Sequence, residues 1–174
     1  MTSLRTLLTA LPAVLLATSA LAQTPTSTGT FNAWSTWSYT GSISGGSTTG
    51  KVCYMHASPT KMEPPTLDHG DVSFSVSRSI AEKVPSQANF VTGYPFKENS
   101  TVTVDIDGKK FNMFTQAESA WLLNSTDEAP LMAAMKAGKA MKVTGTSRRG
   151  NPTSYDYSLS GATAAINKIN SECK

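Results

Sequence analysis

Apolar and polar residues alternate along much of this chain with a period of two, the pattern of strands that bury one face. Val72-Ser-Phe-Ser-Val-Ser-Arg78 turns Val72, Phe74 and Val76 to one side, and Thr101-Val-Thr-Val-Asp-Ile106 does the same with Val102, Val104 and Ile106. Asp107-Gly108 predicts a hairpin from the second run into Lys110–Phe114. Lys51–Ala57 predicts a strand with Val52, Tyr54 and His56 on one face and Cys53 and Met55 on the other. Phe31–Tyr39 is an aromatic-rich strand candidate, although Trp34 to Trp37 breaks strict alternation. Gln87–Tyr94 is extended up to Pro95, which restricts it to an edge or a strand end. Ala140–Ser147 and Thr153–Leu159 flank Arg148-Arg149-Gly150-Asn151-Pro152, whose Gly, Asn and Pro supply the angles of a reversal. Gly41–Gly50 and the proline-rich Pro59–Gly70 read as loops.

Two stretches change period. Thr126 or Asp127 caps a helix running to about Ala137, with Leu131 and Met135 inward and Gly138 as a left-handed cap. In Gly161–Cys173 the residues Ala162, Ile166, Ile169 and Cys173 form one stripe of a short terminal helix. Seven or eight short strands with frequent turns and two short helices predict a mainly β protein, an antiparallel β-sandwich. One such domain spans residues 34–174, after a loose Thr/Pro/Ser/Gly-rich leader at 23–33.

The N-terminus alters the compartment. Arg5, the apolar run Leu7–Leu16 and the small-x-small Ala20-Leu21-Ala22 before Gln23 form a Sec-type export signal, residues 1–22, cleaved near Ala22/Gln23. The apolar run is too short for a membrane span, and the first cysteine, Cys53, lies too far from the cleavage site to carry a lipid there. The expected location is the periplasm or outer surface of a bacterium. Charge is uneven: residues 23–128 carry seven basic and ten acidic groups, residues 129–174 seven basic and two acidic. The basic end favours an anionic partner, but no nucleic-acid-binding motif accompanies it.

Chemistry is sparse. An oxidising compartment makes a Cys53–Cys173 disulfide the default for the two cysteines, with a reactive Cys53 thiol as the alternative. Cys53 and His56 lie three apart on a strand and diverge, and no second ligand pair has metal spacing, so neither a metal nor a cofactor is expected. His69-Gly70-Asp71 with Ser73 or Ser75 would be a hydrolase set, but it sits in a proline-rich loop without a Gly-x-Ser-x-Gly elbow. Asp105-x-Asp107-Gly108 begins like a calcium loop, yet its twelfth position is Gln116. Arg148-Arg149, two guanidinium groups on a hairpin tip, is the candidate partner-binding feature, suited to phosphate or carboxylate.

A set of short blocks resembles the invasion-associated locus B family of exported alphaproteobacterial proteins. They are Trp37-Ser-Tyr39, Lys51-Val-Cys53-Tyr54, Gly93-Tyr-Pro-Phe96, Val104-Asp-Ile-Asp-Gly108 with Phe111 and Phe114, and Ala120-Trp121. They continue through Ala134-Met135-Lys136, Gly145-Thr-Ser-Arg148 with Gly150, Tyr157-Ser-Leu-Ser-Gly161, Thr163-Ala-Ala165 and Cys173. The chain departs from the pattern at Ala162, at Glu118-Ser119, and in lacking additional cysteines near the first tryptophan. The resemblance implies an immunoglobulin-like sandwich, export, and in pathogenic relatives a link to host-cell entry, with no catalytic residues to carry over. The expected function is non-enzymatic binding of an envelope or host-surface protein or anionic ligand. The alternatives are thiol or hydrolase chemistry at Cys53 or His69/Asp71, and a chaperone that pairs an open sheet edge with a client strand.

Overall fold

The computed structural model describes residues 24–174; the expected export signal lies outside them. Eleven strands form one antiparallel ladder: β1 (Thr26–Phe31), β2 (Trp34–Gly41), β3 (Gly50–Ala57), β4 (Lys61–Glu63), β5 (Ser73–Ser79), β6 (Val84–Val91), β7 (Thr101–Ile106), β8 (Lys109–Gln116), β9 (Ser119–Leu122), β10 (Ala140–Thr146) and β11 (Pro152–Ser158). Their spatial order is β1-β2-β3-β5-β6-β9-β8-β7-β10-β11-β4. The ladder folds over so that the β5–β6 region faces β11. The Phe74 ring lies 6.2 Å from Tyr157 and the Phe90 ring 5.3 Å from Tyr155. This is the expected antiparallel immunoglobulin-like sandwich, and the predicted inward residues Phe74, Val76, Val102, Val104 and Ile106 are all buried in its core.

Two helices complete the core, α1 (Glu128–Ala137), entered through a 3-10 turn at Ser125–Asp127, and α2 (Ala162–Glu172). Leu131 and Met135 of α1 are buried, as are Ala162, Ala165, Ile166 and Ile169 of α2. α2 is held at both ends. At its start Gly161 has φ 90°, and a Cβ there would sit 1.9 Å from the Phe31 carbonyl oxygen, so only glycine fits. At its end Cys173 is bonded to Cys53 of β3, with 5.9 Å between Cα atoms and 120 residues between the two in sequence. Beside α2, fully buried Trp34 donates its indole N–H to Ser158 O at 3.0 Å, joining β2 to the end of β11.

Three expectations need correction. Residues 26–31, expected in the loose leader, form β1 and pair with β2, with a bulge between Ser27 and Gly29. The strand is an outer one with little buried side chain, so it has the composition of a loop. Within the proline-rich loop Lys61–Glu63 forms β4, opposite Ser154–Asp156. Gly138 is extended (φ −80°, ψ 168°) instead of left-handed. Space makes it glycine, since a Cβ would lie 2.5 Å from Ile106 Cγ2 and 3.0 Å from Leu159 Cδ1.

The sheet is guarded where β6 outruns β9. The β6–β9 pairing covers only Asn89 to Val91, leaving the Ala88 N–H without a strand partner on that side. Both carboxylate oxygens of Glu128, in the first turn of α1, accept that N–H at 3.0 Å. Burial pushes the Glu128 carboxyl up to about 7, against the lowering effect of the Ala88 hydrogen bond. Between the unfolded carboxyl value of about 4.3 and about 7 the folded chain therefore binds more protons than the unfolded one. Stability falls as pH rises through that window. Glu128→Gln is expected to remove this slope and to gain about 1 kcal/mol at pH 8, a value discounted for the solvent that reaches the group. Urea titrations from pH 4 to 8 check this, and identical slopes in both proteins would contradict it. Replacing Cys53 and Cys173 together by serine is expected to cost about 2–4 kcal/mol, read as a lower urea midpoint; an unchanged midpoint would show that α2 holds without its covalent tie.

Candidate functional site

The reversal between β10 and β11 is stiff. Gly150, at φ 86°, donates its N–H to Ser147 O at 2.8 Å, and Ser147 N–H donates to Asn151 O at 2.9 Å. Residues 94–97 run along this turn: Arg148 N–H donates to Pro95 O and Lys97 N–H to Thr146 O, both at 2.9 Å. Gly145 lets Phe96 lie close, since a Cβ there would be 3.1 Å from its ring. The loop before β5 forms the third wall. Gly93 N–H donates to His69 O at 3.0 Å, and a Cβ on Gly93 would lie 2.5 Å from Gly70 Cα, so the two backbones touch. These three pieces form a cleft of 490 Å³, lined by Leu67, Asp68, Tyr94, Pro95, Arg148 and Arg149 among others.

A chain of hydrogen bonds fixes the cleft floor. His69 is 5 % exposed; its Nε2 lies 2.9 Å from Pro64 O and its Nδ1 2.9 Å from the Tyr155 hydroxyl. A carbonyl only accepts, so Nε2 carries a proton and donates it to Pro64 O. The Tyr94 hydroxyl lies 2.6 Å from that of Tyr155 and 2.7 Å from that of Thr153, whose O–H also reaches Gly145 O at 3.3 Å. Burial, followed by the hydrogen bond with Tyr94, pushes the Tyr155 hydroxyl pKa well up, so it stays a proton donor. The polar side chains of the floor are tied to one another.

The rim is cationic. Arg148 and Arg149 are exposed, and their guanidinium groups form no ion pair and no hydrogen bond among the described residues. Arg78 shows the contrast: its Nε donates to Cys173 O at 2.7 Å and its Nη1 to Pro85 O at 3.0 Å. Asp68, the one carboxylate at the rim, already accepts Gly70 N–H at 3.0 Å. Two free planar donor groups above a fixed polar floor suit a carboxylate or phosphate group.

The other candidate residues fall elsewhere. Cys53 is 1 % exposed and bonded to Cys173, which closes the thiol alternative. His56 points to the opposite face, as expected, and burial lowers its pKa. His69 is bonded to Tyr155 and Pro64, not to Asp71, and the hydroxyl of Ser75 is 3.5 Å from Asn89 O on the outer face, so the structure does not assemble that set. Asp105 Oδ1 accepts Gly108 N–H at 2.8 Å and Asp107 Oδ2 accepts Lys139 N–H at 3.2 Å, which is a hairpin's chemistry. Among the described residues no group of three His, Cys, Asp or Glu side chains gathers for a metal, and no helix is long and apolar enough to cross a membrane. Neither outermost strand offers the long flat edge that strand capture needs: β1 is bulged, and β4 is three residues long with Lys61 and Glu63 exposed or half-exposed.

Sequence reasoning missed Tyr94, Thr153 and Tyr155. Their signal was present: Thr153, Tyr155 and Tyr157 occupy the inward positions of one strand, and a buried tyrosine hydroxyl asks for a partner. Tyr155 found one, whereas the Tyr157 hydroxyl is buried without any among the described residues.

Comparison with known proteins agrees with this architecture. The crystal structure of invasion associated protein B from Bartonella henselae is similar, with a TM-score of 0.57 and 18 % identity over 83 % of this chain and 96 % of that one. No curated protein matches. The family model of the invasion associated locus B (IalB) protein matches residues 37–170, a span that contains all three walls of the cleft. The chain belongs to the invasion associated locus B family.

Proposed function

We propose that this protein is an exported, non-enzymatic binding protein that acts in the periplasm or at the outer surface, holding an anionic group of an envelope or host-surface partner in the Arg148–Arg149 cleft. The observation that carries this is the arginine pair itself: two adjacent exposed guanidinium groups, without ion pair or hydrogen bond among the described residues, over a cleft whose floor is tied together by hydrogen bonds. Two further features support it. The blocks that carry the family likeness include Gly93–Phe96 and Gly145–Arg148 with Gly150, and these are two of the cleft walls. The name of the Bartonella protein associates that relative with invasion, which agrees with a role at a surface. An export signal at residues 1–22 and a disulfide between Cys53 and Cys173 fit an oxidising compartment outside the cytoplasm.

Arg148→Ala with Arg149→Ala is expected to lower retention of the purified protein on isolated envelope or host-cell membrane fractions at least tenfold, with no change in thermal midpoint. Lysine at both positions restores part of the retention through charge but not the bidentate geometry. Wild-type retention is expected to weaken as salt rises. Equal retention of the wild type and the alanine pair at low salt would contradict the proposal.

A further inference from the structure

The two outer faces of the sandwich differ in chemistry. On the β8-β7-β10-β11-β4 side one line of paired residues runs Lys110–Asp105–Lys142–Asp156–Lys61, alternating in sign from strand to strand. Lys142 and Asp156 form an ion pair on this line. On the other side the line runs Ser35–His56–Ser75–Asn89–Trp121–Phe114 across β2, β3, β5, β6, β9 and β8. A second line two residues away runs Trp37–Tyr54–Ser77–Gln87. Neither contains an Asp, Glu, Lys or Arg.

That uncharged face has an ordered layout. Trp37, Tyr54 and His56 cluster at one end, with ring centroids 6.3 Å apart between Trp37 and His56 and between Tyr54 and His56. Phe114 and Trp121 stack at the other end, 5.7 Å apart and inclined by 30°. Phe114 is 42 % exposed, while Trp121, Tyr54 and Trp37 are half-buried. Between the rings lie only hydroxyl and amide side chains: Ser75, Ser77, Gln87 and Asn89. Asn89 spends its amide N–H on Ala120 O at 3.1 Å, which leaves its side-chain oxygen free, and Ser77 and Gln87 make no side-chain hydrogen bond among the described residues. From His56 to Phe114 the line crosses four strand spacings, about 19 Å.

We propose that this face binds an uncharged glycan chain. The chemistry points to that one occupant. Sugar rings present C–H faces that stack on aromatic rings, and hydroxyl groups that exchange hydrogen bonds with serine, asparagine and glutamine. Along these two lines a charged polymer would find no counter-charge; Glu82, near Tyr39 at one end, has its carboxylate taken up by Ser42, Ile43 and Ser44. The strand spacing of about 4.8 Å is close to the advance per unit of an extended hexopyranose chain, so successive units meet successive strands. The aromatic groups at the two ends hold the chain, and the hydroxyl and amide floor sets its register.

Tryptophan fluorescence reads this face directly, because Trp37 and Trp121 lie on it and Trp34 is fully buried in the core. The full-length exported protein, oxidised, is titrated with neutral tetrasaccharides of N-acetylglucosamine, β-linked glucose and mannose. The expected result is a saturable change with at least one of them that added salt leaves intact. Trp121→Ala weakens it about tenfold, and so does Gln87→Lys, which keeps every ring and sets a charge in the floor. Arg148→Ala with Arg149→Ala leaves it unchanged. The proposal is overturned if none of the three sugars gives a saturable change, if the response disappears with salt, or if Gln87→Lys binds like the wild type. It is equally overturned if sedimentation shows two copies of the chain pairing through this face.

Discussion

An antiparallel ladder folded over on itself leaves its two ends near each other and a flank that must be filled, and α2 supplies the filling. The helix starts where Gly161 abuts the Phe31 carbonyl and ends at the bond between Cys173 and Cys53. Its buried stripe completes the core against β1, β2, β3 and β5. Both fastenings rest on residues with no substitute: a glycine because no Cβ fits, and a cysteine pair because only it closes so long a loop covalently. Ala165 and Ile166 and the indole of Trp34 then join elements more than a hundred residues apart. The arginine turn is positioned beside this closure, because β11, which leads out of that turn, packs directly on β5 and β6 through Phe74–Tyr157 and Phe90–Tyr155.

The cleft shows how a scaffold with few reactive side chains still builds a recognition site. Glycines at 70, 93 and 145 remove side chains so that three backbone segments approach. The buried His69–Tyr155–Tyr94–Thr153 chain then spends its donors and acceptors internally, and only the arginines on the turn remain for a partner. Charge on the opposite side is partly consumed as well: Lys142 pairs with Asp156, and Asp105 accepts the Gly108 N–H. What the protein leaves unpaired is therefore more informative than what it contains.

Most of the strands were legible because alternation survives wherever one face is buried, as at Phe74 and Val76 or Val102 and Val104. β1 was not, because Thr-Ser-Thr-Gly-Thr has no apolar member to alternate and its order comes from the backbone ladder to β2. β4 is three residues long and exists only opposite β11. Gly138 was recognised as necessary but for the wrong reason, since crowding by Ile106 and Leu159 is a tertiary fact that no local pattern contains. The arginine pair was visible as a turn. Its setting was not, because His69 meets Tyr155 across 86 residues and nothing in either segment signals the other. The disulfide, by contrast, followed from compartment and count alone.

The most direct test of the claim that the arginine turn is the docking site is photo-crosslinking in intact cells. A crosslinker is placed at Asn151, beside the pair, and in a control at Asn99, in the turn before β7. The account predicts one discrete adduct at Asn151 that is absent at Asn99 and disappears when Arg148 and Arg149 are replaced by alanine. The same diffuse adducts at both positions, or an Asn151 adduct indifferent to the arginines, would contradict it.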